Sequence, residues 1–230
     1  MSAVVFALLA QAQEARVTAL SGTLSMKRAG QQARVLRLHE AVAPGDELIT
    51  DSRSEAVVQT PDGSTVRVFP DSHVIFSGRP GGVENLLHLL FGSVKVQIEK
   101  LSGRPNPQRL TTPTAVIAVR GTKFTVLVDE VNTTLVAVDE GAVSVANIQT
   151  PGDEVLLRAG QRTWVRPGQR PMMAQKFRGR SEQADLMAAR NAQRRQEHEI
   201  MKADRKSSDV SPGRGPVHAV PQSVHRGPVR

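Results

Sequence analysis

Between residues 15 and 170 apolar and polar residues alternate in short runs. In residues 66–69, 94–98 and 143–145 every second residue is apolar, which is typical of strands with one buried face. Residues 116–119 and 134–138 are more continuously apolar, so we expect strands covered on both faces there. Gly, Pro, Asp and Ser separate the runs, which begin roughly every 8 to 12 residues. The pattern predicts an all-β fold of stacked short strands, β-solenoid-like, with a sandwich as the alternative.

Short sequences recur within this region. Gly22, Gly92 and Gly141 each begin a similar five-residue stretch: GTLSM, GSVKV and GAVSV. PGDEL at residues 44–48 returns as PGDEV at residues 151–155. The intervals are irregular, so a repeat array of fixed period is excluded. Two interpretations stay open: a weak repeat of stacked units, or glycines that simply favour the turns before strands.

The chain changes character at Pro171, after which apolar residues become sparse. Ser181 is a suitable N-cap, and residues 181–206 contain good helix formers without a full apolar stripe, which predicts a solvated helix. After Ser207 the composition of Pro, Gly and Ser is typical of disorder. The predicted organisation is a β domain over 15–170, a polar helical segment over 171–206 and a disordered basic tail over 207–230.

The N-terminal residues resemble the end of a signal peptide. An apolar run at residues 3–10 precedes Ala10-Gln11-Ala12, a small-x-small cleavage pattern, so residues 1–14 are interpreted as a signal peptide remnant. No Lys or Arg precedes the run, and an ordinary buried strand is the other interpretation. The first interpretation predicts a periplasmic or secreted protein. No other stretch is apolar and long enough to span a bilayer.

The net charge of +8 is concentrated at the C-terminal end. From Pro171 onward twelve Lys and Arg oppose six Asp and Glu, so this end carries +6 (12 − 6) and the rest about +2. Such a tail is attracted to anionic surfaces over long distances. The predicted contact residues are Arg190, Arg194, Arg195, Lys202, Arg205 and Lys206.

Six stretches, in order, resemble the FecR domain, the periplasmic part of regulators that sense ferric siderophore uptake. They are residues 17–22, 42–50, 56–64, 89–96, 112–126 and 134–143, and the fifth, TPTAVIAVRGTKFTV, is the most specific. The matching motif positions, expected to be structural, are Gly45, Asp46, Asp62, Gly63, Gly92, Arg120, Gly121, Thr122, Phe124 and Gly141. The resemblance implies a solenoid-like domain with an interaction or sensory role. Because neither an anti-sigma segment nor a spanning helix is present in this sequence, we expect a free-standing exported form.

Candidate chemistry is sparse. Arg120-Gly121-Thr122 could grip an anionic ligand or form a corner of the strand stack. Adjacent carboxylates such as Asp139-Glu140 point to opposite faces of a strand, and no pair of histidines has metal-ligand spacing. Trp164 lies between Arg162 and Arg166, and it could stack on either guanidinium or cap the last strand. There is no cysteine, hence no disulfide and no thiol nucleophile.

The sequence therefore predicts a non-catalytic protein without a cofactor or metal. Its expected partner is an unidentified envelope protein or an anionic cell-surface polymer, and a nucleic acid is disfavoured because no basic groove with stacked aromatics is indicated. The alternative is a cytoplasmic binder of nucleic acid or another anionic polymer that acts through the basic tail.

Overall fold

The computed structural model describes residues 14–77, 85–100 and 103–177. Within these ranges the chain forms β-strands and no helix, which confirms the predicted all-β class. The strands of the first half are β1 (Ala15–Ser21), β2 (Leu24–Lys27), β3 (Arg34–Leu36), β4 (Ala41–Val42), β5 (Glu47–Thr50), β6 (Glu55–Gln59), β7 (Thr65–Val68) and β8 (His73–Phe76). Those of the second half are β9 (Asn85–Gln97), β10 (Pro107–Thr111), β11 (Ala115–Arg120), β12 (Lys123–Val128), β13 (Thr134–Glu140), β14 (Ala142–Asn147), β15 (Glu154–Arg158), β16 (Gln161–Val165) and β17 (Gln175–Lys176).

The strands form two ladders that share β9. The first ladder runs β4–β1–β6–β7–β9–β12–β13–β16–β17. The second runs β3–β2–β5–β8–β9–β10–β11–β14–β15. All of these pairings are antiparallel except that of β9 with β10. The 17 strands thus form one mixed sheet, in which the two ladders are joined through β9.

Strand β9 changes partners at Gly92. Its first half, from Asn85 to Phe91, pairs with β8 and β10, and its second half, from Gly92 to Gln97, pairs with β7 and β12. The chain likewise passes between ladders at Gly22, Gly121 and Gly141. The three pentads that begin with Gly22, Gly92 and Gly141 thus mark places where a strand leaves one ladder and enters the other. Glycine permits the close approach and sharp bend that these crossings need.

Alternate residues of both ladders are buried in one hydrophobic cluster. Phe76 on β8 and Phe124 on β12 are its largest fully buried side chains, and each contributes roughly 1.5–3 kcal/mol through burial. The expectation of a strand covered on both faces holds for β13, where residues 136–138 are all buried. It is wrong for β11: Ala118 and Arg120 are exposed, because this strand has its outer face open to solvent.

The described β-structure continues past residue 170, where the predicted β domain ended. Strand β17 pairs with β16, and the Phe177 N–H donates to the Gly160 carbonyl over 3.0 Å. Pro171 and Phe177 are buried. The predicted signal peptide remnant, the helix over 181–206 and the tail over 207–230 lie outside the described residues, apart from Glu14 at the N-terminal end. Among the described residues no helix is long and apolar enough to cross a membrane.

Candidate functional site

The Pro-Gly-Asp motif at residues 44–46 forms the turn between β4 and β5. Asp46 is buried and accepts two hydrogen bonds from the Arg28 guanidinium, over 2.6 and 2.8 Å, and one from the Ala43 N–H over 2.9 Å. Burial alone would raise the pKa of Asp46, but these hydrogen bonds and the Arg28 charge hold it below its usual value. Asp46 is therefore ionised, and it ties the turn between β4 and β5 to Arg28, the residue that follows β2.

Asp62 and Gly63 form the turn between β6 and β7. Asp62 accepts hydrogen bonds from the Ser64 N–H over 3.0 Å, from the Thr60 hydroxyl and, over 2.6 Å, from the Asn106 amide. Its burial raises the pKa, and the hydrogen bonds more than offset this, so that the pKa of Asp62 is lowered. The carboxylate thus ties this turn to the chain entering β10, and its acceptor capacity is used within the fold.

Gly121, Thr122 and Gly141 lie close together at the ends of neighbouring strands, between β11 and β12 and between β13 and β14. A Cβ on Gly141 would lie 2.7 Å from the Thr122 methyl, and one on Gly121 would lie 3.0 Å from Lys100 Cγ. The Thr122 carbonyl accepts the Ile98 N–H over 2.9 Å. Thr122 and Phe124 are buried. These residues lie where the chain crosses from β11 to β12 and from β13 to β14.

Arg120 is different, because its side chain is exposed on the outer face of the second ladder. Its neighbour on β10 is Pro107, and the register that pairs Val119 with Val143 brings it beside Ala142. Ala142 in turn pairs with Arg158 on β15. Two strand spacings separate Arg120 from Arg158, which is about 10 Å between their backbones.

Arg109 completes this group. Arg109 is exposed on β10 and pairs with Ala118 of β11. Ala118 lies two residues before Arg120 on the same strand and the same face. In the described part of the chain no carboxylate lies within ion-pair distance of the three guanidinium groups. We call Arg109, Arg120 and Arg158 the arginine face.

Small side chains separate the members of the arginine face. Ala118, Ala142 and Ser144 lie between them, so no large side chain lies at these three positions between the guanidinium groups. Arginine presents a planar fork of donors that matches carboxylate and phosphate groups. Three guanidinium groups without a carboxylate partner among the described residues, on β10, β11 and β15, can therefore bind an extended anionic group. Sequence analysis singled out Arg120 but missed Arg109 and Arg158, because only the strand register brings them together.

His73, His88 and Trp164 contact neighbouring side chains in the described part of the chain. Among the described residues no three His, Asp or Glu side chains are placed to hold a metal ion. His73 lies 3.2 Å from the Glu47 carboxylate, and His88 Nδ1 lies 2.6 Å from the Thr111 hydroxyl. Arg162, and not Arg166, stacks on Trp164, with its guanidinium carbon 4.7 Å from the ring centroid. The tail residues Arg190, Arg194, Arg195, Lys202, Arg205 and Lys206 lie outside the described ranges.

Part of the chain matches a known family, and its fold is similar to that of solved structures. Residues 46–144 match the family model described as FecR protein. Two crystal structures of a candidate anti-sigma factor from Parabacteroides distasonis, at 1.65 and 2.50 Å resolution, are similar in fold, with TM-scores of 0.51 and 0.50. Sequence identity is 18% and 17%, and the match covers 61% of this chain in both cases. The chain spans 64% and 63% of the length of the chains in these two structures. No curated protein matches the sequence.

Proposed function

We propose that this chain, which contains a FecR-type domain over residues 46–144, is a non-catalytic interaction or sensory module of the bacterial envelope. In this proposal the protein is periplasmic or secreted. FecR-type and anti-sigma relatives point to regulation through protein partners rather than to chemistry on a substrate. The partner proposed here is an envelope protein that presents an acidic segment.

The observation that carries the proposal is the exposed and unpaired arginine face. The other charged motif residues, Asp46 and Asp62, are used inside the fold. Arg109, Arg120 and Arg158 point to solvent, without a counterion among the described residues. A surface of this kind steers anionic partners and gains charge-assisted hydrogen bonds on contact.

Two further features belong to the same proposal. The β domain is solenoid-like, each crossing of the chain starting a further layer, and residues 207–230 form a disordered tail behind a solvated helix. Arg190, Arg194, Arg195, Lys202, Arg205 and Lys206 then hold the protein near an anionic surface while the β domain engages its partner. What supports this is the +6 charge after Pro171.

Site-specific photocrosslinking in the native host tests the arginine face. A photoreactive residue is placed at Ala118, in the middle of the face, and as a control at Val131, which is exposed in the loop between β12 and β13. We expect a crosslinked protein from position 118 and not from position 131. The product should disappear when Arg109, Arg120 and Arg158 are all changed to Glu in a chain that keeps its β-rich circular dichroism.

A crosslink at 118 that survives the triple reversal contradicts the proposal. If the photoreactive residue at position 118 crosslinks to an anionic polymer instead of a protein, the proposal that the partner is an acidic envelope protein is wrong. Location is tested separately, by mass spectrometry of the N-terminus in separated cell fractions and medium. A form beginning near Gln13 outside the cytoplasm is expected, and a cytoplasmic form that retains Met1 contradicts export.

A further inference from the structure

Strand β15 is an edge strand of the second ladder. It pairs with β14 on one side, and among the described strands none pairs with its other side. Residues 154, 156 and 158 are exposed, whereas Leu157 is buried in the core. Leu156 is 53% exposed, which is high for a leucine in a strand. An open edge with an exposed apolar residue is a template for a further strand.

Hydrogen bonds determine which backbone groups face outward. The Arg158 N–H donates to the Gln161 side-chain oxygen over 2.8 Å and is therefore turned away from β14. The Ala159 N–H, one residue later, donates to the Gly141 carbonyl over 3.0 Å, on the β14 side. Because the direction alternates along an antiparallel strand, the N–H and C=O groups of Glu154 and Leu156 also point to the open edge. The free edge is thus centred on Leu156.

The side chains around this centre are self-complementary. Glu154 and Arg158 lie two residues before and two residues after Leu156, on the same exposed face. In an antiparallel pair of two β15 strands related by a twofold axis at Leu156, Glu154 of each strand faces Arg158 of the other. Leu156 then faces its own copy, and the outward N–H and C=O groups of the two strands meet in register.

We propose that β15 pairs with β15 of a second copy of this chain to form a twofold symmetric dimer. Two Glu154–Arg158 pairs flank one Leu156–Leu156 contact, and opposite charges across strands stabilise such a pairing. Gln161 releases the Arg158 N–H, which then donates to the facing strand. The inference does not rest on the proposed function, since it uses the edge of β15 and not a bound anionic partner.

The C-terminal segment of the same chain is a poorer occupant of this edge. Residues 178–230 contain eleven Lys and Arg against six Asp and Glu, a net charge of +5 (11 − 6). The neighbouring surface carries Arg109 and Arg120 in addition to Arg158, so it repels a basic segment. A second β15 strand brings one Glu and one Arg, which is neutral overall.

The experiment is sedimentation velocity on the full chain over a range of concentrations, with charge-reversed variants. The pairing covers a short strand, so a weak, concentration-dependent dimer is expected. Either single change, Glu154→Arg or Arg158→Glu, puts two residues of the same charge opposite each other at both ends of the paired strands. Each variant should therefore weaken dimer association on the order of tenfold. The double variant E154R/R158E restores both opposite-charge pairs and should dimerise like the unmodified chain.

Cysteine crosslinking provides an independent measurement, because the sequence contains no cysteine. Leu156→Cys should form an intermolecular disulfide on mild oxidation, since facing residues in an antiparallel pair lie about 5.5 Å apart at Cα, within disulfide range. Val35→Cys is the control, as it is exposed on β3 at the opposite edge of this ladder and should not crosslink.

Three results overturn the inference: a monomer at all concentrations, a dimer that the single reversals leave unchanged, or a double variant that stays as weak as the single ones. Loss of the proposed anionic partner is distinguishable from each of these. Glu154→Arg weakens the dimer but leaves Arg109, Arg120 and Arg158 in place, so crosslinking at Ala118 in this variant reports the proposed function separately.

Discussion

Gly92 lies directly against Ser72: a Cβ on Gly92 would be 2.5 Å from the Ser72 Cα and equally close to the Asp71 carbonyl oxygen. At this point β9 passes from the second ladder into the first, and the Ser93 N–H donates to the Ser72 hydroxyl over 2.9 Å. The same contact occurs between Gly22 and Ser54, where the Thr23 N–H donates to the Ser54 hydroxyl over 2.6 Å. These two crossings are therefore stabilised by a glycine and by the serine of a neighbouring turn.

Gly92→Ala should destabilise the protein strongly. The residue has φ +89°, which costs about 1–3 kcal/mol for a side chain, and the new methyl group also collides with Ser72 and Asp71. Gly45→Ala is the matched control, since Gly45 has φ +92° and open space where a Cβ would be. Chemical denaturation of the two variants should show the larger loss for Gly92→Ala. Equal losses would mean that the contact with Ser72 contributes nothing.

Asp46→Asn should lower the free energy of unfolding by about 1.5–3 kcal/mol, the range for a hydrogen bond to a charged group. Asn cannot serve as a counterion, and the Arg28 guanidinium then loses its charged partner. Glu40→Gln is the control, because the Arg34–Glu40 ion pair is largely exposed and should contribute about 0–1 kcal/mol. Denaturant midpoints at neutral pH measure both changes.

The Asp46 carboxylate should also stabilise the protein in a pH-dependent way. Its pKa is lower in the folded state than the usual 3.8, so the unfolded chain binds the proton more tightly. The stabilisation is present above pH about 4 and is lost as the pH falls through the folded-state pKa. Stability between neutral pH and pH 2 should therefore fall less in Asp46→Asn than in the unmodified chain. Parallel acid profiles would contradict this.

His88 should titrate below its usual value of 6.5, because burial disfavours the imidazolium and lowers the pKa. The unfolded chain then binds more protons than the folded one between the folded-state pKa and 6.5, so stability rises with pH across that window. Two-dimensional NMR of the imidazole signals gives the pKa, and His88→Gln should flatten the stability profile in this window. A His88 signal that titrates at or above 6.5 would refute the prediction.

Thr122→Val should leave stability unchanged or raise it by up to about 1 kcal/mol. The Thr122 hydroxyl is buried, and no hydrogen-bond partner for it lies among the described residues, whereas its methyl packs on Gly141. Thr134→Val is the opposite case. The Thr134 hydroxyl is 2.7 Å from that of Thr112 and 2.6 Å from that of Thr114, so its loss should cost about 1–3 kcal/mol. The midpoint of thermal unfolding should fall in Thr134→Val and should stay unchanged or rise in Thr122→Val.

The strands could be predicted from sequence because their burial alternates with period two. In β14, for example, Val143 and Val145 are buried and their neighbours are less so. Residues near in sequence could also be placed, such as Asp62 in its turn with Thr60 and Ser64. The Asp46–Arg28 pair joins residues 18 positions apart, and nothing in the local pattern marks Arg28 as the partner.

The arginine face could not be predicted from the sequence, because its members are also far apart along the chain. Arg109, Arg120 and Arg158 become neighbours through the registers β10–β11, β11–β14 and β14–β15. A shift of one residue in any register would turn a side chain to the other face. The crossing within β9 is hidden as well, because the alternation at residues 94–98 indicates only its second half, and the two halves belong to different ladders.

Strand pairing places the physical limits of the domain outside the FecR match at residues 46–144. Strands β5 and β6 need β2 and β1 as neighbours, and β14 and β13 need β15 and β16. A fragment excised at 46 and 144 would retain most of the family motifs and expose four unpaired strand edges, on β5, β6, β13 and β14. Such a fragment should aggregate rather than fold, so the unit that evolution can move between proteins extends at least from β1 to β16.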